Sequence, residues 1–300
     1  MAVRSRENTR AVTRARPYVC NFVYEVIFDL VMNKMHPRLP TLLHPLLEEY
    51  LTLLDQRLPG FLTAFYIGGS IALDGFNERL SDIDFVAVIA HRATEREIEQ
   101  LRQIHAIIRQ HYPRWPLSGS YLQAEDLGRF EDEVQPHPFY QDGELQPHGH
   151  FELNSVTWWT LKNRGIALRG PEPATLPFTV DWTLLIAKMH ENLNTYWLRW
   201  TKQPKRLLML LSDWGIEWAV LGVLRQFHTF RENTIITKSQ AGEYALTCTP
   251  ARWQRVIQEA LNIRAGVSPS LYRSRLHRAL DAVQFLKYVI RTCNEIALRE

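Results

Sequence analysis

Two short apolar runs, residues 61–68 (FLTAFYIG) and 83–90 (IDFVAVIA), constrain this chain more than any other feature. Each is too short for a buried helix, is rich in aromatic and apolar residues, and ends at glycine or polar residues. That is the pattern of a strand buried on both faces. Between them lie Gly68-Gly69-Ser70, where a strand gives way to one or two helical turns, and Ser81-Asp82-Ile83-Asp84, which opens the second strand. Ahead of the first run, Leu46, Leu47, Tyr50, Leu51 and Leu54 keep helical spacing until Pro59-Gly60 stops it. After the second, residues 94–112 read as an amphipathic helix with Ile98, Leu101, Ile104 and Ile107 inward. A third strand at 117–123 completes a small mixed sheet covered by helices, so the first half is α/β.

The second half changes character. Residues 126–149 are polar, with Pro136, Pro138 and Pro147, and read as a long irregular connection. From residue 155 onward no strand is expected, and helices are expected over 155–164, 181–200, 206–230, 238–246, 251–264 and 269–298. In the last, Leu276, Ala279, Val283, Leu286, Ile290, Cys293 and Ala297 recur at helical spacing, with Ser268 as cap and Pro269 at the first position. The fold class is therefore α/β followed by an all-α bundle. The expected division is an N-terminal extension (1–40), a sheet domain (41–150) and a helical domain (151–300).

Composition narrows the function classes. Apolar residues at 46% and charged residues at 22% suit an ordinary globular chain and exclude a disordered one. The net charge is +3, but the first 18 residues hold five Arg against one Glu, or +4, which leaves −1 for the rest. Such a body lacks the basic surface that nucleic-acid binding requires. The three cysteines, Cys20, Cys248 and Cys293, are odd in number and form no CxxC, which points to a reducing, cytoplasmic setting. Residues 18–32 are apolar but interrupted by Glu25 and Asp29, too short and too charged to cross a bilayer. Three readings compete: a targeting-like segment, an amphipathic surface helix, or sequence translated ahead of a later start such as Met32 or Met35. The last two are favoured, because no small-residue cleavage site follows the apolar run.

The chemistry concentrates between the two buried runs. Side chains alternate along a strand, so Asp82 and Asp84 project from one face roughly 7 Å apart while Ile83 points inward. Two hard carboxylates so placed suit Mg²⁺, which takes few protein oxygens and completes its shell with water and substrate phosphate. Gly68 and Gly69 allow close backbone approach, and Ser70 at a helix start offers a hydroxyl and N–H groups to phosphate. A phosphate cradle beside a carboxylate pair fits phosphoryl or nucleotidyl transfer. Ser70 as a hydrolase nucleophile is excluded by GGSIA in place of GxSxG. His137, His148 and His150 have no ligand-spaced partner and are assigned to a polar loop. Trp158-Trp159, Trp197 and Trp200 are assigned to packing.

The string GGSIALDGFNERLSDIDFVAVI resembles the signature of the nucleotidyltransferase superfamily, a Gly-Ser followed by Asp-x-Asp on the next strand. GIALRGP at 165–171 and the stretch from Leu224 to Arg264 resemble the helical domain of streptomycin and spectinomycin adenylyltransferases. The resemblance implies a polymerase β-like nucleotidyltransferase sheet followed by a helical bundle. It implies Mg²⁺-dependent transfer of AMP from ATP to a hydroxyl of an aminoglycoside-like antibiotic, with resistance as the outcome. Asp82 and Asp84 would hold the metals, and Gly69, Ser70 and Ser81 the phosphates. Arg225 and Lys238 would reach ATP from the helical side, and Asp213, Trp214 and Glu217 would meet the acceptor.

Plainer roles stay open for these helical residues. Lys238 also fits the first turn after a Thr237–Gln240 capping box, Arg225 a helix-surface charge, and Asp213 and Glu217 a solvated face with Trp214 in the core. The chain departs from the pattern at Ser118, where relatives carry an acid as base, and near Arg264, where they carry an aromatic residue. Glu125 and Asp126, just past the third strand, are the expected substitutes for the missing acid. An inert nucleotide binder and a protein-adenylylating enzyme are the rival readings. Oligomeric state is left at monomer or homodimer.

Overall fold

The structure, a computed structural model, describes residues 35–297. The expected N-terminal helix or upstream segment, with Cys20, lies outside these residues. From Arg38 onward the chain is one compact unit. Helix α1 (His44–Arg57) is followed by strand β1 (Leu62–Ile67), the single turn α2 (Gly69–Ala72), β2 (Ile83–Ile89), α3 (Glu95–His111) and β3 (Leu117–Leu122). These match the elements read from the sequence. Helix α3 starts where Thr94 and Glu97 form a reciprocal capping box: the Glu97 amide donates to Thr94 Oγ1 at 3.3 Å, and the Thr94 amide donates to Glu97 at 2.8 Å.

Residues 126–149 correct the expectation of an irregular connection. They contain a hairpin, β4 (His137–Gln141) and β5 (Glu144–Gly149), turned by Asp142-Gly143, both in the left-handed region. Asp-Gly is the residue pair that a two-residue hairpin turn demands. The prolines are tolerated because Pro147 lies on the edge strand and Pro138 sits where the pairing register slips between His137 and Phe139.

A second correction follows helix α4 (Ser155–Arg164), which Asn154 caps. Strand β6 (Ile166–Arg169) returns to pair with β1, so strands do not end at residue 155. The sheet runs β5-β4-β3-β2-β1-β6, antiparallel throughout except for the parallel β2–β3 pair.

The rest is helical, in shorter pieces than expected. Helix α5 (Trp182–Asn192) passes into a π-helical turn (Leu193–Trp197) that packs Trp197 on Gly222. The long element expected at 206–230 is broken into α6 (Pro204–Met209) and α7 (Asp213–Glu232), because Ser212 accepts from the Gly215 amide and starts a new helix. Then come α8 (Lys238–Cys248), α9 (Gln254–Ala265) and α10 (Arg275–Ala297). The last starts at Arg275 rather than at Pro269. Helix α7 is the axis of the bundle: Ile216, Ala219, Val220, Leu221, Val223 and Leu224 are fully buried against α8, α9 and α10.

The loop between α2 and β2 locks into the helical half at three points. A Cβ on Gly75 would meet Thr237 Cγ2 at 2.1 Å, Asn77 Nδ2 donates to the Arg264 carbonyl at 3.1 Å, and Arg79 lies against Gly266.

Candidate active site

A cavity of about 320 Å³ opens where β1, β2 and β3 face α4, α7 and α8. Asp82 and Asp84 both line it, with Ile83 between them fully buried in the core. Gly69 brings the backbone against this pair. Its φ is +52°, and an added Cβ would stand inside the Asp84 carboxylate. The Ser70 backbone lies on the Asp84 side of the turn and partly offsets the rise in that carboxyl. The Ser70 hydroxyl donates to Ser81 Oγ at 3.1 Å, and Ser81 Oγ also accepts from the Asn77 amide at 3.0 Å. The two serines are thus joined to each other beside the carboxylates.

Burial raises the Asp84 carboxyl above its ordinary value, and the charges of Asp82 and Glu152 raise it further. Burial likewise raises Asp82, which the charge of Lys238 partly offsets. Two like charges facing each other in a recess are stabilised by a divalent cation. Among the described residues no group of three or more His, Cys, Asp or Glu could hold one ion, so Asp82 and Asp84 act as a pair. Magnesium commonly binds through one or two carboxylates plus substrate phosphates, and this donor set fits it.

The helical half supplies the opposite sign. Arg225 on α7 and Lys238 at the start of α8 line the same cavity, where Asp84 feels Arg225 and Asp82 feels Lys238. Arg225 Nε donates to the Ile236 carbonyl at 3.1 Å, and Lys238 lies over the Trp218 ring, 4.5 Å from its centroid. The Thr237–Gln240 capping box is present and points Lys238 into the cleft.

The expected acceptor contacts lie elsewhere. Glu217 is buried between Arg264 Nη1, 2.6 Å away, and Lys238 Nζ, 3.2 Å away. Asp213 pairs with the buried Arg278 at 2.7 Å. Trp214 is neither in the core nor in the cleft: it is half exposed and stacks on Trp218. Bundle cations capture both acids, and none of the three residues lines the cavity. Glu125 and Asp126 are also absent from it, since Asp126 is buried in a bond to the Gln123 amide and an ion pair with Arg92. His137 and His150 pack against each other in the sheet and its flanking loop, with His150 bonded to the Val134 carbonyl.

Among the lining residues not assigned to the site from the sequence, Glu152, Trp218 and Arg264 carry the chemistry. Glu152 carries no spacing signal, because the hairpin that delivers it was read as a loop. Trp218 could have been found four residues from Trp214 on the same helix face. Arg264 was visible only as a departure from an aromatic position.

Residues 211–289 match the family model described as aminoglycoside adenylyltransferase, C-terminal domain. That match covers the bundle region built on α7, α8, α9 and the first part of α10. Six solved chains match in structure. One is the crystal structure of spectinomycin adenyltransferase AAD(9) from Enterococcus faecialis with ATP and spectinomycin, 15% identical, with a TM-score of 0.59 over 83% of this chain and 99% of that one. At that identity the likeness concerns the fold, which is the same sheet-plus-bundle arrangement. No curated protein matches in sequence. No helix among the described residues is long and apolar enough to cross a membrane.

Proposed function

We propose that this chain transfers AMP from ATP to a hydroxyl of an aminoglycoside-like small molecule and releases pyrophosphate. The observation that carries the proposal is one cleft in which Asp82 and Asp84 face Arg225 and Lys238. Asp82 and Asp84 would hold Mg²⁺, which neutralises phosphate charge and polarises the reacting phosphoryl group. Gly69, Ser70 and Ser81 shape the sheet side of the phosphate site, while Arg225 and Lys238 close on the triphosphate from the bundle. Such catalysis rests on positioning and charge stabilisation. ATP and a small hydroxylated acceptor would be the partners, in the cytoplasm, for a monomer or homodimer.

One observation favours a second reading, a nucleotide-binding protein without turnover. Ser118 stands beside Asp84 in the β2–β3 register, where an acid would complete the site. A panel of aminoglycosides incubated with ATP and Mg²⁺ decides between the two. An adenylyl group on one of them, lost in Asp82→Asn, supports transfer. Calorimetric binding of ATP without pyrophosphate release selects the inert reading.

A further inference from the structure

A neutral hydroxyl attacks a phosphate slowly unless a base takes its proton, and a serine does not serve as that base at neutral pH. The register fixes where the shortage lies: Ser118 is the β3 partner of Asp84, and its side chain lines the cleft. Two residues further along the same strand face, Ser120 Oγ donates to the carbonyl of Phe151 at 2.9 Å. This bond ties the segment after the β4–β5 hairpin to β3 and delivers the next residue, Glu152, into the same cavity.

Glu152 is held there deliberately. Its φ is +58°, a strained value for a residue with a side chain, of the kind found where a functional group is positioned. Its Oε2 accepts from Asn154 Nδ2 at 2.9 Å and from Thr157 Oγ1 at 3.0 Å, and Asn154 is itself the cap of α4. Among the described residues Oε1 takes no hydrogen bond, and no cation pairs with this carboxylate. It remains exposed, whereas Glu217, Asp213 and Asp126 are each held in ion pairs. It is not a third ligand of the carboxylate pair, since no three such groups converge on one ion.

We infer that Glu152 is the general base of this site, supplied by a different loop from the one expected and taking the place left open by Ser118. The inference rests on the adenylyl-transfer reading. The acceptor O–H proton passes to the Glu152 carboxylate as the acceptor oxygen bonds to the α-phosphorus of ATP. The bond from that phosphorus to the bridging oxygen breaks, and pyrophosphate leaves with the electron pair.

The test measures pyrophosphate release from ATP·Mg²⁺ by the full-length protein with spectinomycin, streptomycin or water as acceptor, and ATP·Mg²⁺ affinity by calorimetry. Glu152→Gln is expected to lower kcat about 10²- to 10⁴-fold, the usual worth of a general base, with KM and Kd for ATP within about threefold of wild type. Glu152→Asp should fall between, and Ser118→Asp in the Glu152→Gln background should recover at least tenfold. Glu152→Gln with wild-type kcat, or a parallel loss of kcat and ATP affinity, would overturn the assignment and leave the transfer reading standing. A wild-type protein that binds ATP yet releases no pyrophosphate with any of the three acceptors would remove the transfer reading itself, and this assignment with it.

Discussion

A methyl group on Gly69 would stand 1.6 Å from Oδ2 of Asp84. The glycine is therefore a steric condition for where that carboxylate sits. Gly69→Ala should drive Asp84 out of line or strain the left-handed turn. We expect turnover to fall about 100-fold or more, the cost of roughly an ångström of misplacement, while far-ultraviolet dichroism stays unchanged. An alanine variant with wild-type kcat would show that Asp84 has freedom to relocate.

Asp84 should be a site of opposed stability and function. Burial and the charge of Asp82 both disfavour its ionised form in the folded chain. Asp84→Asn removes that repulsion, so the metal-free variant should melt higher than wild type at neutral pH. Saturating ATP and Mg²⁺ should reverse the order, because a ligand at a hundredfold excess over Kd stabilises the native state by about 2.7 kcal/mol. Chelation of Mg²⁺ should return wild type to its lower value. Thermal scans of the two proteins with and without ligand make the comparison.

Glu217 is the shared counter-charge of two cations, at 2.6 Å from Arg264 and 3.2 Å from Lys238. Glu217→Ala leaves both partly desolvated and facing one another. Loss of one member of a buried ionic group typically costs about 3–5 kcal/mol, and urea unfolding should show a loss of that order. Glu217→Gln, which keeps the volume and a hydrogen-bond acceptor, should cost less. ATP, as a source of negative charge in the neighbouring cleft, should recover part of the deficit in both variants.

His105 makes a prediction about acid stability. It is buried under Tyr140, the rings stacked 3.7 Å apart, with Tyr50 and Tyr121 at its Nε2. Burial lowers its value from 6.5 to about 3. Between those pH values the unfolded chain binds a proton that the folded chain does not, so stability falls as pH falls below 6.5. The slope approaches about 1.4 kcal/mol per pH unit for such a group. His105→Gln should flatten the pH dependence by that amount, read from urea midpoints at pH 4.5, 5.5 and 7. An unchanged slope would mean that the ring titrates normally.

The elements that position the carboxylates were legible because each announces itself locally. Apolar runs mark β1 and β2, Thr94 and Glu97 mark the start of α3, and the spacing of Asp82 and Asp84 on one strand face follows from pleating alone. Arg225 and Lys238 could be placed at the cleft only through resemblance, since nothing in a helix's own periodicity tells which surface cation meets a distant strand. The hairpin was missed although its Asp142-Gly143 turn was in view, because three prolines outweighed it. That single error hid Glu152. The acids at 213 and 217 looked available because their partners, Arg278, Arg264 and Lys238, lie 21 to 65 positions further along the chain. Long-range ion pairing leaves no trace in a window of neighbouring residues.

The interlock of Gly75 with Thr237, Asn77 with Arg264 and Arg79 with Gly266 has a mechanical outcome. The segment that makes these contacts runs straight into Asp82, and the residues it grips begin the helix of Lys238 and end the one bearing Arg264. Anions pulling on the bundle cations would tug the aspartate strand through the same three pegs. The two banks of the cleft are geared together, so a graft that swaps one bank for that of a relative should stall unless the pegs travel with it.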